Sequence, residues 1–349
     1  MYLGEGSAIA AKGGVHPTPF AVREVLTRMP ESVRHDRNCS VARTLEIMGD
    51  PWGFLILRAF FFGKRRFSDI MDHGAIPKKI LSARLRVLVD QGVLRRRLYE
   101  TRPRRYDYLL TEKGHELYPA AIALMHWGDN WASGPEGIPV RLRHTRCGRH
   151  FNAIVACPEC RNALHAHEVT YRDGPGAGFS ARSKTRRHRR SPSPEIYQRG
   201  RVCSVARTLS IVADRWLFLI MREACFGTRR FDDFHEATGI ARNILSERLE
   251  HLVSSGLLSR RRYSERPERF EYRLAEKGKA LYPPILAIMA WGDRWQSGKR
   301  GPPLILTHTR CGRDFRPVVL CSGCKEEFHS RGVSYEQLLS RETADVTAA

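Results

Sequence analysis

The sequence predicts a mainly α chain with small β-hairpins. It is an α+β fold in which two tandem winged helix-turn-helix domains are each followed by a small zinc-knuckle appendix. Three observations predict it. Residues Cys39–Cys160 recur as Cys203–Cys324 without insertion or deletion, with about half of the paired positions identical. Within each copy the hydrophobic periodicity runs short helix, turn, longer helix, alternating hairpin. Behind the last helix of each copy, three cysteines gather with a histidine. The repeat is far longer than the roughly 20–50 residues of a solenoid unit, so whole domains are duplicated.

In copy one, Val41, Leu45 and Met48 fall at helical spacing over Ser40–Met48. The next helix, from Trp52 to Phe62, is almost wholly apolar and belongs in the core, with Gly63 as its stop. Phe67–Asp72 forms a short helix, and Pro77, a favourable first helical residue, opens a longer one to Gln91 that buries Ile80, Leu81, Leu85, Leu88 and Val89. Two strands follow, Val93–Tyr99 and Arg105–Leu110, the second alternating at period two. Thr111 then caps a helix beginning at Glu112, which Pro119 breaks or kinks near its start, as Pro283 and Pro284 do in copy two.

Composition divides the chain further. Residues 1–37 read as a flexible N-terminal arm with a short helix over Phe20–Thr27, 38–134 as the first winged domain and 135–171 as its appendix. The Gly-, Pro- and Arg-rich stretch 172–200, with its run Arg182–Arg190, reads as a disordered basic linker. The second domain takes 201–298, its appendix 299–339, and a frayed tail 340–349.

The chain of 349 residues carries a formal net charge of +22, an excess that favours a polyanionic partner. No apolar run approaches the ~20 residues of a membrane span, and the first residues lack the apolar core of a secretory signal. A cytoplasmic protein, nucleoid-associated when bound to DNA, is expected, with no membrane partner. Charge placement then selects among polyanions. Lys78, Lys79, Ser82 and Arg86 lie on the outward face of the longer helix, and Arg102, Arg104 and Arg105 surround a Pro103 tip of the hairpin. These are the surfaces by which a winged helix meets double-stranded DNA. Copy two places Arg242, Asn243, Ser246 and Glu250 on the helix, and Arg266, Glu268 and Arg269 on the wing. Asn243 suits adenine and Lys79 suits guanine, so the modules are expected to read unequal half-sites of an asymmetric operator.

Several ordered motifs carry a family likeness. Cys39-Ser-Val-Ala-Arg-Thr-Leu, Trp52 with its apolar helix, Phe62-Gly63, Arg65-Arg66-Phe67, Leu81-Ser82-x-Arg84-Leu85 and Leu110-Thr-Glu-Lys-Gly114 recur around Cys203, Trp216, Phe226, Arg229, Leu245 and Leu274. Together they resemble the HxlR-type transcriptional regulators, over Cys39–Trp131 and Cys203–Trp295. The resemblance implies a bacterial winged-helix regulator that works as a dimer, its last and first helices forming the subunit contact. It also implies that a cysteine at the position of Cys39 and Cys203 senses oxidants or electrophiles in some members. The tandem duplication departs from that single-domain pattern.

After Thr111, residues Leu117, Ala121, Leu124, Gly128 and Trp131 make a seam suited to helix pairing, matched by Leu281, Ile285, Ile288, Gly292 and Trp295. The two stripes are expected to meet within one chain as a pseudo-twofold dimer, a homodimer being the alternative.

Of nine cysteines, six form the appendix motifs. His144, Cys147, Cys157 and Cys160 give H-x2-C-x9-C-x2-C, and His308, Cys311, Cys321 and Cys324 repeat it. One imidazole and three thiolates suit tetrahedral Zn²⁺ with no open position, so one structural ion is expected per appendix. Cys39 and Cys203 begin the first helix of each copy, where backbone N–H groups lower a thiol pKa.

The expected function is a sequence-specific, double-stranded DNA-binding transcriptional regulator, with repression as its expected sign, and not an enzyme. Two alternatives stay open: a nucleoid or RNA binder without base readout, and a redox sensor acting through Cys39 and Cys203.

Overall fold

The computed structural model describes residues 35–49, 51–134, 137–181, 203–212 and 215–338. The expected helix at Phe20–Thr27, the run Arg182–Arg190 and the tail 340–349 lie outside these residues. Among the described residues no helix is long and apolar enough to cross a membrane.

Copy one begins with β1 (His35–Arg37), α1 (Ser40–Met48), α2 (Pro51–Phe61), α3 (Phe67–Gly74) and α4 (Lys78–Asp90). The antiparallel wing β2 (Leu94–Thr101) and β3 (Arg104–Leu110) follows, then α5 (Glu112–His115) and α6 (Tyr118–Trp131). The appendix adds β4 (Val140–His144), β5 (Ala153–Ala156), β6 (Val169–Asp173) and β7 (Phe179–Ala181). Copy two repeats the plan as α7 (Ser204–Val212), α8 (Arg215–Cys225), α9 (Phe231–Thr238) and α10 (Arg242–Ser254), then β8 (Leu258–Glu265) and β9 (Glu268–Leu274), then α11 (Glu276–Lys279) and α12 (Tyr282–Trp295). It ends in β10 (Leu304–His308), β11 (Arg313–Phe315), β12 (Val318–Cys321) and β13 (Val333–Gln337).

Helix α2 is the core element its composition demands: Phe54, Leu55, Ile56, Leu57 and Ala59 are all buried. On α4, Leu81, Leu85 and Leu88 turn inward at one-turn spacing, which leaves the opposite face to solvent. Pro77 stands just before α4 rather than as its first residue, its carbonyl accepting from Leu81 N–H at 2.9 Å. Thr111 caps α5, its hydroxyl accepting from Gly114 N–H at 3.2 Å, but α5 lasts four residues. The chain restarts at Tyr118 with Pro119 in the first turn of α6, where the missing N–H costs nothing.

The expected arm and linker are corrected at both described ends. His35–Arg37 pairs antiparallel with Phe179–Ala181, and Arg172 and Asp173 belong to β6, which pairs with β10. The glycines at 174 and 176 serve close approach rather than flexibility. A Cβ on Gly174 would lie 2.3 Å from the Pro302 carbonyl oxygen, and one on Gly176 would lie 2.1 Å from that of Gly301. Arg172 on β6 reaches across β10 to β11 with two hydrogen bonds to Asp314, 2.8 and 2.6 Å.

The copies grip each other by reciprocal contacts. Thr44 donates to the Ile288 carbonyl (3.1 Å), and its counterpart Thr208 donates to Leu124 (2.8 Å). Trp291 Nε1 donates to the Lys113 carbonyl (3.0 Å) and Trp127 Nε1 to Lys277 (3.1 Å). Such i-to-j and j-to-i exchange is the signature of a twofold relation, here within one chain. The stripes of α6 and α12 only partly face one another. Gly128 instead meets α7, where a Cβ would lie 2.2 Å from the Ser204 carbonyl oxygen, and Gly292 meets α1 likewise at Ser40, 2.4 Å. Trp131, expected in the seam, is 41% exposed because it lies at the last turn of α6.

Candidate nucleic-acid interface and metal-ligating clusters

The helix pair α3–α4 and the wing β2–β3 are built from one core, so their outward side chains are fixed relative to it. Lys78, Lys79, Ser82 and Arg86 are all exposed on α4, and Arg102, Arg104 and Arg105 are exposed at the wing tip. In copy two Arg242, Asn243 and Ser246 on α10 and Arg266 and Arg269 on the wing are exposed as well. The equivalence ends at charge pairing. Asp232 holds Arg242 at 2.9 Å, and Arg262 faces both Glu265 (3.4 Å) and Glu268 (3.7 Å). In copy one Arg105 has Glu100 at 3.4 Å, whereas among the described residues Lys78, Lys79 and Arg86 face no carboxylate partner. The first module therefore leaves more of these basic side chains without a carboxylate neighbour among the described residues.

Both wings are stiffened at their roots. Tyr108 N–H donates to the Arg65 carbonyl (2.9 Å), adding a segment of chain to the hairpin edge, as Tyr272 does to Arg229 (2.7 Å). Arg66 lies over the Tyr99 ring at 5.0 Å and Arg230 over Tyr263 at 4.9 Å, each a cation–π contact at a register shift of the hairpin. Arg97 pairs with the buried Asp107 at 2.8 Å.

The eight appendix residues come together in two groups, but not in the groups expected. One contains His144, Cys147, Cys321 and Cys324, and the other Cys157, Cys160, His308 and Cys311. Each joins the His-x2-Cys half of one appendix to the Cys-x2-Cys half of the other, which corrects the assignment of one ion to each appendix. Strand pairing is the cause. β4 pairs with β13, β10 with β6, and β5 with β12, so every inter-appendix ladder crosses between copies.

Ligand atoms within each group lie inside 4.8 Å of one another. Cys147 and Cys321 Sγ are 4.0 Å apart, Cys157 and Cys311 Sγ 3.9 Å. The imidazole Nδ1 of His144 lies 3.6 Å from Cys147 Sγ and 3.3 Å from Cys324 Sγ. That of His308 lies 3.5 Å from Cys311 and 3.3 Å from Cys160. A tetrahedral Zn²⁺ with bonds near 2.3 Å to sulfur and 2.0–2.1 Å to nitrogen would set edges of about 3.8 and about 3.6 Å. The donor set and its spacing fit that ion. His150 is exposed and faces Glu336 at 3.8 Å, away from either group.

Turn chemistry shapes these halves. Gly148 and Gly312, at φ 67° each, close the His-x2-Cys turn through N–H bonds of 2.8 Å to the His144 and His308 carbonyls. Arg161 N–H donates back to Cys157 (2.9 Å) and Lys325 N–H to Cys321 (2.9 Å).

Cys39 caps α1, its sulfur accepting from Ala42 N–H at 3.3 Å. The buried guanidinium of Arg222, from the other copy, donates to the same sulfur and to Glu223. A cavity lined by Cys39, Tyr171, Arg222, Glu223 and Asp293 opens beside them. Cys203 is half-buried, and the position of Glu223 is held in copy one by Ala59, so the two thiols have unequal surroundings. Nothing in the spacing of Cys39 pointed to Arg222. The loss of symmetry at Ala59 and Glu223 was the one available signal.

The model of the HxlR-like helix-turn-helix family matches this chain twice, over residues 47–135 and 211–300. An uncharacterized HTH-type transcriptional regulator of Mycobacterium tuberculosis is 44% identical over 137 residues, which is 39% of this chain and 87% of that protein. Another, from Synechocystis, is 34% identical over 96 residues, 27% of this chain and 70% of the relative. One from Bacillus subtilis is 33% identical over 94 residues, 27% and 73% respectively.

Proposed function

Since the chain belongs to the HxlR-like helix-turn-helix family, we propose that it is a transcriptional regulator that recognises an asymmetric, two-part operator in double-stranded DNA and represses transcription by occupying it. One observation carries the reading. The outward faces of α4 and α10 are exposed and basic at their N-terminal halves but chemically unequal, with Lys78 and Lys79 on one and Arg242 and Asn243 on the other. Basic and amide side chains there are the ones that reach base edges in the major groove. The wing arginines Arg102, Arg104, Arg105, Arg266 and Arg269 serve the phosphates, which position the protein without specifying sequence. Reciprocal packing of the two copies supports a single chain acting as its own dimer.

Each four-residue cluster holds a structural Zn²⁺ in this reading, completing the appendix without an open position for chemistry. A second control fits the same molecule: the Cys39 sulfur accepts from the buried guanidinium of Arg222 in the other copy, beside a cavity, so its modification by an oxidant would break a contact between the copies and release DNA. Replacement of Cys39 by Ser should then abolish oxidant-induced release while leaving operator affinity intact.

Selection of bound sequences from random duplex DNA at fixed salt tests the main reading. Enrichment of one motif with two dissimilar halves is expected. Retention of duplex without any motif would instead make the protein a sequence-blind nucleic-acid binder.

A further inference from the structure

We propose that the two metal ions are shared between the copies of the repeat and act as a paired clasp holding the two DNA-reading heads together. This rests on the reading that both clusters hold Zn²⁺. Each ion would tie residues that are far apart in sequence: Cys147 to Cys321 and His144 to Cys324 in one cluster, Cys157 to Cys311 and Cys160 to His308 in the other. Neither appendix holds a complete ligand set by itself. His144 and Cys147 leave β4, whose partner strand β13 belongs to copy two, and Cys157 follows β5, whose partner β12 carries Cys321 at its end. The β5–β12 pair, with Val155 opposite Val319, lies between the two clusters in sequence register, so one sheet step positions both.

Two consequences set this arrangement apart from a pair of independent knuckles. The ions cross-link the copies instead of stabilising each one alone, so metal loading and the union of the two heads become one equilibrium. Two heads held on one body bind adjoining half-sites with a shared effective concentration, and loosening the clasp reduces that advantage.

Metal stoichiometry in paired variants of the full chain distinguishes shared from separate sites. Cys147→Ser with Cys324→Ser removes two ligands of one cluster although the residues lie in different appendices, and one zinc per chain should remain. Cys147→Ser with Cys160→Ser removes one ligand from each cluster although both lie in the same appendix, and tight zinc should be lost altogether. The reverse pattern would overturn the clasp and leave the zinc assignment standing, whereas a wild-type chain without zinc would overturn both. Should the second variant not fold, the wild-type chain loaded with ¹¹³Cd serves instead. The β-protons of Cys147 and Cys321 should couple to one cadmium nucleus, and coupling of Cys147 and Cys157 to a common nucleus would end the proposal.

Discussion

Ser40, at the start of α1, donates a 2.5 Å hydrogen bond to Asp293 near the end of α12, so a residue of the first copy is joined to the second across the buried contact. Ser204 and Asp129 repeat the bond on the other side. Burial dominates both carboxylates, lifting Asp129 and Asp293 to about 6 although the serine hydroxyls and nearby arginines pull the other way.

The sign of the pH effect follows. A carboxyl whose folded pKa lies above its unfolded value binds more protons when folded. It imposes no penalty below about pH 4 and a growing one as pH rises to about 6, constant thereafter. Asparagine keeps an acceptor for the serine without the buried charge. The double variant Asp129→Asn, Asp293→Asn should therefore gain stability relative to wild type on going from pH 4.5 to 7.5. Urea denaturation at both pH values measures it, and an unchanged difference would refute the assignment.

The same contact explains two glycines. Helices α6 and α7 approach so closely at Gly128 that a Cβ would lie 2.2 Å from the Ser204 carbonyl oxygen and 2.5 Å from Thr208 Oγ1. Backbone cannot yield cheaply there. Gly128→Ala should cost about 1–3 kcal/mol, seen as a lower denaturation midpoint, and Gly292→Ala should behave alike against Ser40 and Thr44. Alanine at Gly63, where a Cβ meets nothing within 4 Å, tests the alternative cause, since its positive φ makes any loss there a backbone effect.

At the left-handed position between α3 and α4 the two copies differ by one methyl group. Ala75 ends α3 in the left-handed region at φ 47°, whereas copy two has Gly239 at φ 65°. An L-residue is strained in that conformation by about 1–2 kcal/mol, part of which glycine's greater unfolded freedom offsets. Ala75→Gly should raise stability by about 0.5–1 kcal/mol, with DNA affinity unchanged because α4 keeps its place. Thermal or urea melting would show it.

Local structure was legible because periodicity and capping act over a few residues. The apolar run of α2, the inward stripe of Leu81, Leu85 and Leu88, and the cap at Thr111 all follow from neighbours in sequence. Pairing between copies follows no such rule. An exact repeat gives Cys147 the same spacing to Cys157 as copy two has from Cys311 to Cys321, so separate and exchanged clusters satisfy the motif equally. Only the strand ladders decide between them. The Gly-Pro-Gly segment misled for a related reason: composition cannot tell a glycine needed for flexibility from one needed because Gly301 and Pro302 pass close by. Arg222 beside Cys39 left only the asymmetry of Ala59 and Glu223 as a trace in the sequence, since the two belong to different copies.

Base readout and phosphate attraction should separate cleanly by residue. Lys79 and Asn243 occupy equivalent exposed places on α4 and α10. Lys79→Ala should relax preference in one half of the operator only, and Asn243→Ala in the other, each at a cost of about 1–3 kcal/mol on the preferred sequence. Arg102→Ala, at the wing tip, should weaken every sequence about equally and reduce the slope of log affinity against log salt by about 1. Titration of preferred and scrambled duplexes between 50 and 200 mM salt compares all three, with affinity of the wild type falling by about 10³–10⁵ if 6–10 phosphates are neutralised. A salt slope untouched by Arg102→Ala, together with Lys79→Ala and Asn243→Ala altering the same half-site, would place the DNA on another face of the protein.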